Sequence, residues 1–308
     1  MWASGLSWQA SPVNYRHQYH AGNFADVMKH VLVIQLARAL QRKPKGVLFL
    51  DTHAGRGSYD LEQACRGDSL VREPEHPAGI GRVWPGLGSS PALVEYLSLV
   101  RDFDKGVRDK RTSDPVQAPA PPPRFYPGSP WLLKLLARDS DRLALCEAHP
   151  EEYQALRSEF DCIRRVSVHE MDGYAALRAM LPPPEKRALV LIDPSYEAQD
   201  EASLLVAALG EALQRFPSGL YVIWYPITER LQPRSLLRNL AGLALPPALT
   251  IELVVEPASA GLKGCGLLVL NPPWLFDKEA GPILAELVKK LGRSPAATGQ
   301  VRWLAPET

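Results

Sequence analysis

Two kinds of apolar run alternate along this chain. From Phe24 to Leu40 the positions Val27, Val31, Ile34, Leu36 and Leu40 recur at near-helical spacing, and Pro44 sets a stop. GVLFLD (46–51) follows as a short continuous apolar run, the mark of a strand buried on both faces. After Tyr126 the alternation becomes regular. WLLKLLAR (131–138), PEEYQALRSEF (150–160), YAALRAML (174–181) and EASLLVAALGEALQRF (201–216) read as helices. RLALCEA (142–148), VSVHEMD (166–172), ALVLIDPSY (188–196) and GLYVIWY (219–225) read as strands with their following turns. TIELVVE (250–256) and GCGLLVLNPP (264–273) are expected to close the fold. Strands without polar alternation, separated by helices, predict a mainly parallel sheet covered on both faces.

Two stretches break the rhythm. Residues 1–14 show no periodicity and read as a flexible tail. Residues 59–124 are rich in charge, Gly and Pro, and end in the cluster QAPAPPPR (117–124). Only Leu93 to Val100 looks helical there, so this segment reads as an insertion within one domain spanning 15–308.

Composition changes this picture little. Of 308 residues, 46% are hydrophobic and 22% charged, ordinary for a globular chain. The net charge of +1 announces no nucleic-acid binder, so any such surface must be local. Cys65, Cys146, Cys162 and Cys265 are scattered, which argues against a disulfide framework or zinc knuckle. No apolar run approaches the ~20 residues of a membrane helix. A reducing, cytoplasmic setting is expected.

The candidate chemistry lies where the strands end. Asp51 closes the first strand and is followed by Thr52-His53-Ala54-Gly55-Arg56-Gly57, a loop in which glycines let backbone approach a ligand. Asp60 stands where a dinucleotide fingerprint would have its third glycine, so that pattern is not met. An acid before the loop suits a ligand carrying positive charge. Glu147 ends the next parallel strand, the place of a ribose-binding carboxylate. It comes much later than the usual ~20 residues because the insertion intervenes. Asp172-Gly173 fills the third such place, where an acid can bond an adenine amino group; a plain strand-to-helix turn weighs equally.

Asp193-Pro194-Ser195-Tyr196 follows the fourth parallel strand and resembles the [D/N]PP[Y/F/W] signature of amino-methyltransferases, with Ser195 in place of the second proline. The chemistry suits that pattern. An exocyclic amino group delocalised into adenine is a poor nucleophile. A carboxylate at Asp193 and a carbonyl near Pro194 would accept its hydrogen bonds and favour a pyramidal nitrogen. Tyr196 offers a face for an extruded base. Asn271-Pro272-Pro273-Trp274 matches the signature better by letter, but it follows the closing strand, expected to be antiparallel, and is read as structural. His17-x-x-His20 has ligand spacing without a third ligand, so no metal is expected.

From about Asn14 onward the chain resembles the bacterial 23S ribosomal RNA adenine-N6 methyltransferase J family. YRHQYHAGNFADVMKH (15–30), LDTHAGRGSY (50–59), YPGSP (126–130), CEAHP (146–150), MDGY (171–174), LIDPSY (191–196), WYP (224–226) and NPPW (271–274) carry the likeness. The resemblance implies a class I Rossmann-like α/β fold with a mainly parallel seven-stranded sheet and a small helical insertion. It implies S-adenosylmethionine as cofactor, bound by Lys29, His30, His53, Ser129, Glu147, Asp172, Gly173 and Asp193. Asp193 would be the catalytic proton acceptor, with Tyr15 and Tyr196 on the substrate. The expected partner is 23S rRNA, free or in a pre-ribosomal particle, met by a monomer with no membrane attachment. Ser195, a longer N-terminal tail and a longer insertion depart from the family pattern. Two other readings stay open: a DNA adenine-N6 methyltransferase or DNA-utilisation protein, and a non-catalytic nucleic-acid-binding module. The intact Asp193, Glu147 and glycine loop speak against the last.

Overall fold

The computed structural model describes residues 19–65, 73–86, 89–111, 122–198, 200–229, 233–259 and 261–306. Its strands are β1 (Leu48–Asp51), β2 (Ser58–Asp60), β3 (Phe125–Pro127), β4 (Arg142–Glu147), β5 (Val166–Glu170), β6 (Ala188–Ile192), β7 (Leu220–Ile227), β8 (Ala248–Val254), β9 (Gly264–Leu270) and β10 (Thr298–Ala305). The helices are α1 (Phe24–Gln41), α2 (Leu61–Cys65), α3 (Ile80–Val83), α4 (Pro91–Arg111), α5 (Ser129–Leu136), α6 (Pro150–Phe160), α7 (Gly173–Met180), α8 (Glu201–Arg215), α9 (Pro233–Ala241) and α10 (Phe276–Leu291).

The main sheet runs β10-β8-β9-β7-β6-β1-β4-β5. From β5 to β7 every pairing is parallel, while β9 lies antiparallel between β7 and β8. The unbroken apolar runs follow from burial on both faces, since successive side chains point to opposite sides. Phe49, Leu189 and Leu191 join the core under α1, α4, α5 and α10; Leu48, Leu50, Val190 and Ile192 join the core under α7, α8 and α9.

The sheet has eight strands, one more than the seven expected. The addition is β10, antiparallel to β8 at the sheet edge. Its residues TGQVRWLA are largely exposed and lack an apolar run, because an edge strand with open faces needs none. The helix α10 before it likewise stands outside the sequence expectation, which ended at the NPPW turn.

Helix α1 starts at Asn23, whose side chain accepts from the amides of Ala25 and Asp26. It is buried on nearly all sides, between the sheet and the inserted segment. That segment closes through the antiparallel pair β2–β3. Within it Ile80, Val83, Leu93, Tyr96, Leu97 and Val100 share one core with Val27, Met28 and Val31 of α1. The two-strand pair was not anticipated in the helical insertion. The tail 1–14 and most of the proline cluster fall outside the described residues.

Candidate active site

The parallel strands end on one edge of the sheet. There Asp51 ends β1, fully buried, while Glu147 at the end of β4 and Asp193 after β6 open on a cleft of about 880 Å³. Small-ligand sites run to roughly 300–1,000 Å³. The glycine loop forms one wall. Gly55 at φ +60° and Gly57 at φ +93° take left-handed conformations that favour glycine. The Gly55 amide donates to Glu147 Oε2 at 2.8 Å, and the His149 amide donates to Oε1 at 2.7 Å. A carboxylate has about four acceptor positions, so Glu147 keeps capacity for two more hydrogen bonds, as a ribose diol would need. Burial raises its pKa against the pull of those two amides.

Beside the loop a line of buried charge crosses the cleft. Lys29 Nζ, on α1, donates to Asp26 Oδ1 at 2.8 Å and to Asp193 Oδ2 at 2.6 Å. Burial alone would drive this ammonium toward neutrality, but Asp193 and Asp26 outweigh it and hold the pKa above its usual value. Asp51 is fully buried, and Ser129 Oγ donates to its Oδ2 at 2.6 Å. Burial, helped by the charge of Asp193, pushes Asp51 up to about 7 against the lowering effect of Ser129. His53 goes the other way, lowered by burial to about 4, and is therefore neutral. The Thr52 hydroxyl gives its proton to Leu191 O at 2.9 Å and lies 2.8 Å from His53 Nδ1. Nδ1 then carries the ring proton, leaving Nε2 as an acceptor.

The Asp193–Tyr196 turn forms the opposite wall. Tyr196 sits at φ +55°, half-buried, and its hydroxyl donates to Trp224 O at 2.8 Å. Its ring is tilted at 6.1 Å from that of Trp224. Thr228 and Glu229 after β7, with Gly261 and Leu262 in the β8–β9 hairpin, extend this wall. Asn271 lies at the other end of the sheet, beside the start of β7, where its Nδ2 donates to Pro217 O and Gly219 O at 2.8 and 2.7 Å.

Of the residues singled out in the sequence, Lys29, His30, His53, Ser129, Glu147, Asp193 and Tyr196 meet in the cleft wall. Asp172 and Gly173 do not reach it. Asp172 caps α7 by accepting from the Ala175 amide at 2.8 Å. Gly173 packs behind the loop, where an added Cβ would stand 2.4 Å from Thr52 O and 2.7 Å from the His53 ring. Tyr15 lies outside the described residues. Lys29 lines the cleft and is engaged with Asp193, a partner 164 residues away. Asp26, Trp224 and Thr228 went unnoticed. The i,i+3 spacing of Asp26 and Lys29 on a predicted helix was the one available signal.

A family model described as "Ribosomal RNA large subunit methyltransferase D, RlmJ" matches residues 44–305. The "Ribosomal RNA large subunit methyltransferase J" of Escherichia coli (strain K12) is 37% identical over 299 residues, covering 96% of this chain and 100% of that protein. Its namesake in Haemophilus influenzae is 35% identical over 297 residues, with 96% and 100% covered. A crystal structure of a protein from Legionella pneumophila str. Philadelphia 1 superposes with a TM-score of 0.79 at 35% identity, covering 92% of this chain and 98% of that one.

Proposed function

Since this chain belongs to the ribosomal RNA large subunit methyltransferase J family, we propose that it methylates the N6 amino group of one adenine in 23S rRNA, using S-adenosylmethionine. The cleft fits that cofactor. Positive-φ glycines bring backbone close at Gly55 and Gly57, and the Glu147 carboxylate has acceptor positions left for ribose hydroxyls. His53 offers a neutral ring. When bound, the cofactor supplies an electrophilic methyl group on a sulfonium.

The observation that carries the reading is Asp193, at the end of β6 in the cleft wall, with one oxygen fixed by Lys29 at 2.6 Å. Its other oxygen accepts a hydrogen bond from the adenine amino group, together with the carbonyl of Pro194. The two acceptors pull the nitrogen lone pair out of conjugation and aim it. As the amino group becomes positive on accepting the methyl, its surplus proton passes to Asp193. Tyr196, anchored on Trp224 O, presents a face on which the extruded base stacks. The substrate is free 23S rRNA or a pre-ribosomal particle, and the enzyme acts as a monomer. Among the described residues no helix is long and apolar enough to cross a membrane.

The test is Asp193→Ala and Asp193→Asn, with N6-methyladenine read by mass spectrometry of rRNA after reaction. The Ala variant should still bind S-adenosylmethionine and lose at least ~10²–10³ in kcat, the typical cost of one placed electrostatic group. The Asn variant keeps one acceptor oxygen and should retain partial activity. Full activity in Asp193→Ala would remove the proton acceptor, and methylation of DNA in preference to rRNA would overturn the substrate.

A further inference from the structure

Asp26 has no part in the chemistry described so far, yet it is 4% exposed and contributes to the cleft wall. It stands in the first turn of α1, where an acid commonly serves the helix end by accepting a free amide. One oxygen does so: the Gly22 amide donates to Oδ2 at 2.9 Å. The other faces inward and takes Lys29 Nζ at 2.8 Å. A buried carboxylate is costly, and helix capping does not need one here because Asn23 already caps Ala25 and Asp26.

The charge count explains it. Asp26, Lys29 and Asp193 together carry one net negative charge. Several groups packed against them are held neutral, while Glu147, Glu152 and Glu229 place further carboxyl groups elsewhere on the cleft wall. Burial keeps His53 on α7's side neutral and pushes Tyr96 on α4, Tyr126 on β3 and Cys265 on β9 upward in pKa. Asp51 on β1 titrates near neutrality, and Asp172 acts on His53 from behind. Without Asp26 the lysine would neutralise Asp193 completely, and the three-residue line would carry no net charge.

We infer that Asp26 is a positioning residue that shares Lys29 with Asp193, keeping this line of charge net negative so that it favours the cationic sulfonium of the cofactor over the neutral thioether of its product. S-adenosylmethionine and S-adenosylhomocysteine differ only by the methyl group and the sulfonium charge it creates. A site with one surplus negative charge attracts the first and releases the second. The same surplus leaves Asp193 free to take up the proton that methyl transfer liberates. This deepens the proposed function and rests on Asp193 being its acceptor.

Calorimetry on the full-length protein with each ligand separates this from a purely structural role. In Asp26→Asn, affinity for S-adenosylmethionine should fall roughly tenfold, the order expected of one unit charge at partly buried range, while S-adenosylhomocysteine changes by about twofold or less. The kcat should fall as well, and the acidic limb of its pH profile should move to lower pH. Asp26→Glu keeps the charge, so it should keep the ligand preference while turning over more slowly. If Asp26→Asn folds poorly, Asp26→Ser carries the same comparison. Equal weakening of both ligands, in whichever variant folds, would overturn the inference. Asp193→Ala run alongside keeps the two ideas apart: full turnover there sinks the acceptor, whereas a dead Asp193→Ala beside an unchanged Asp26→Asn sinks only the role of Asp26.

Discussion

Asp51 shows how much a single residue can be asked to carry. It closes the central strand, fully buried, with Ser129 Oγ on one oxygen and the His53 amide on the other. Its carboxyl, raised by burial to about 7, holds a proton in the folded protein that the unfolded chain gives up near pH 4. Between those values the native state binds more protons, so the contribution of Asp51 to stability is full below pH ~4 and lost as pH rises through ~7. Asp51→Asn removes that loss. Relative to wild type it should gain stability across this window, by up to ~4 kcal/mol on the unit-to-energy conversion. Denaturant melts at pH 5 and pH 8 check it, and an equal difference at both would show that Asp51 does not titrate. His53 contributes the opposite slope, losing stability as pH falls from ~6.5 toward ~4, but it is present in both proteins and cancels from the comparison.

At the scale of elements, the two candidate signatures separate by strand direction. Asp193 follows a parallel strand and meets the cleft; Asn271 follows an antiparallel one and meets the start of β7. Asn271 sits at φ +55°, a conformation Asn tolerates better than Ala, and ties Pro217 O and Gly219 O to the β9–α10 turn. Asn271→Ala should therefore cost ~2 kcal/mol of stability while leaving kcat within twofold of wild type. A stable variant that had lost methyl transfer would show that the turn takes part in the reaction. The sequence pattern gave most of these elements because buried strands and amphipathic helices announce themselves by period. It missed α9, α10 and β10; α10 carries Pro282 inside an otherwise regular apolar period, and β10 is an exposed edge strand, where period carries little information.

Across the whole molecule the inserted segment is continuous with the methyltransferase core. Tyr96 and Tyr126 join hydroxyls at 3.0 Å, and Tyr126 OH lies 2.9 Å from His30 Nδ1, so α4, β3 and α1 are linked directly behind the cleft. Leu97 of α4 is fully buried in the same core as α1. Leu97→Ala should cost ~2–5 kcal/mol and shift one cooperative unfolding transition. An early, separate melting of the insertion, followed by calorimetry, would mean that the two parts fold independently.

By itself the sequence determined the fold class, the order of the seven main strands of the sheet with most of their helices, and the placing of Asp51, Glu147 and Asp193 at strand ends. These depend on local period and on turn residues, which are written in neighbouring positions. Tertiary structure decided what those residues meet. It set Lys29 between Asp26 and Asp193, Ser129 on Asp51, and Tyr196 on Trp224. It also made Asp172 the cap of α7 and packed Gly173 behind His53. The reason is distance along the chain. A parallel sheet brings together strand ends separated by whole crossover segments, and no short-range pattern records which side chain will answer another. The charge balance of the cleft is likewise a property of burial, and burial exists only once the chain has closed around it.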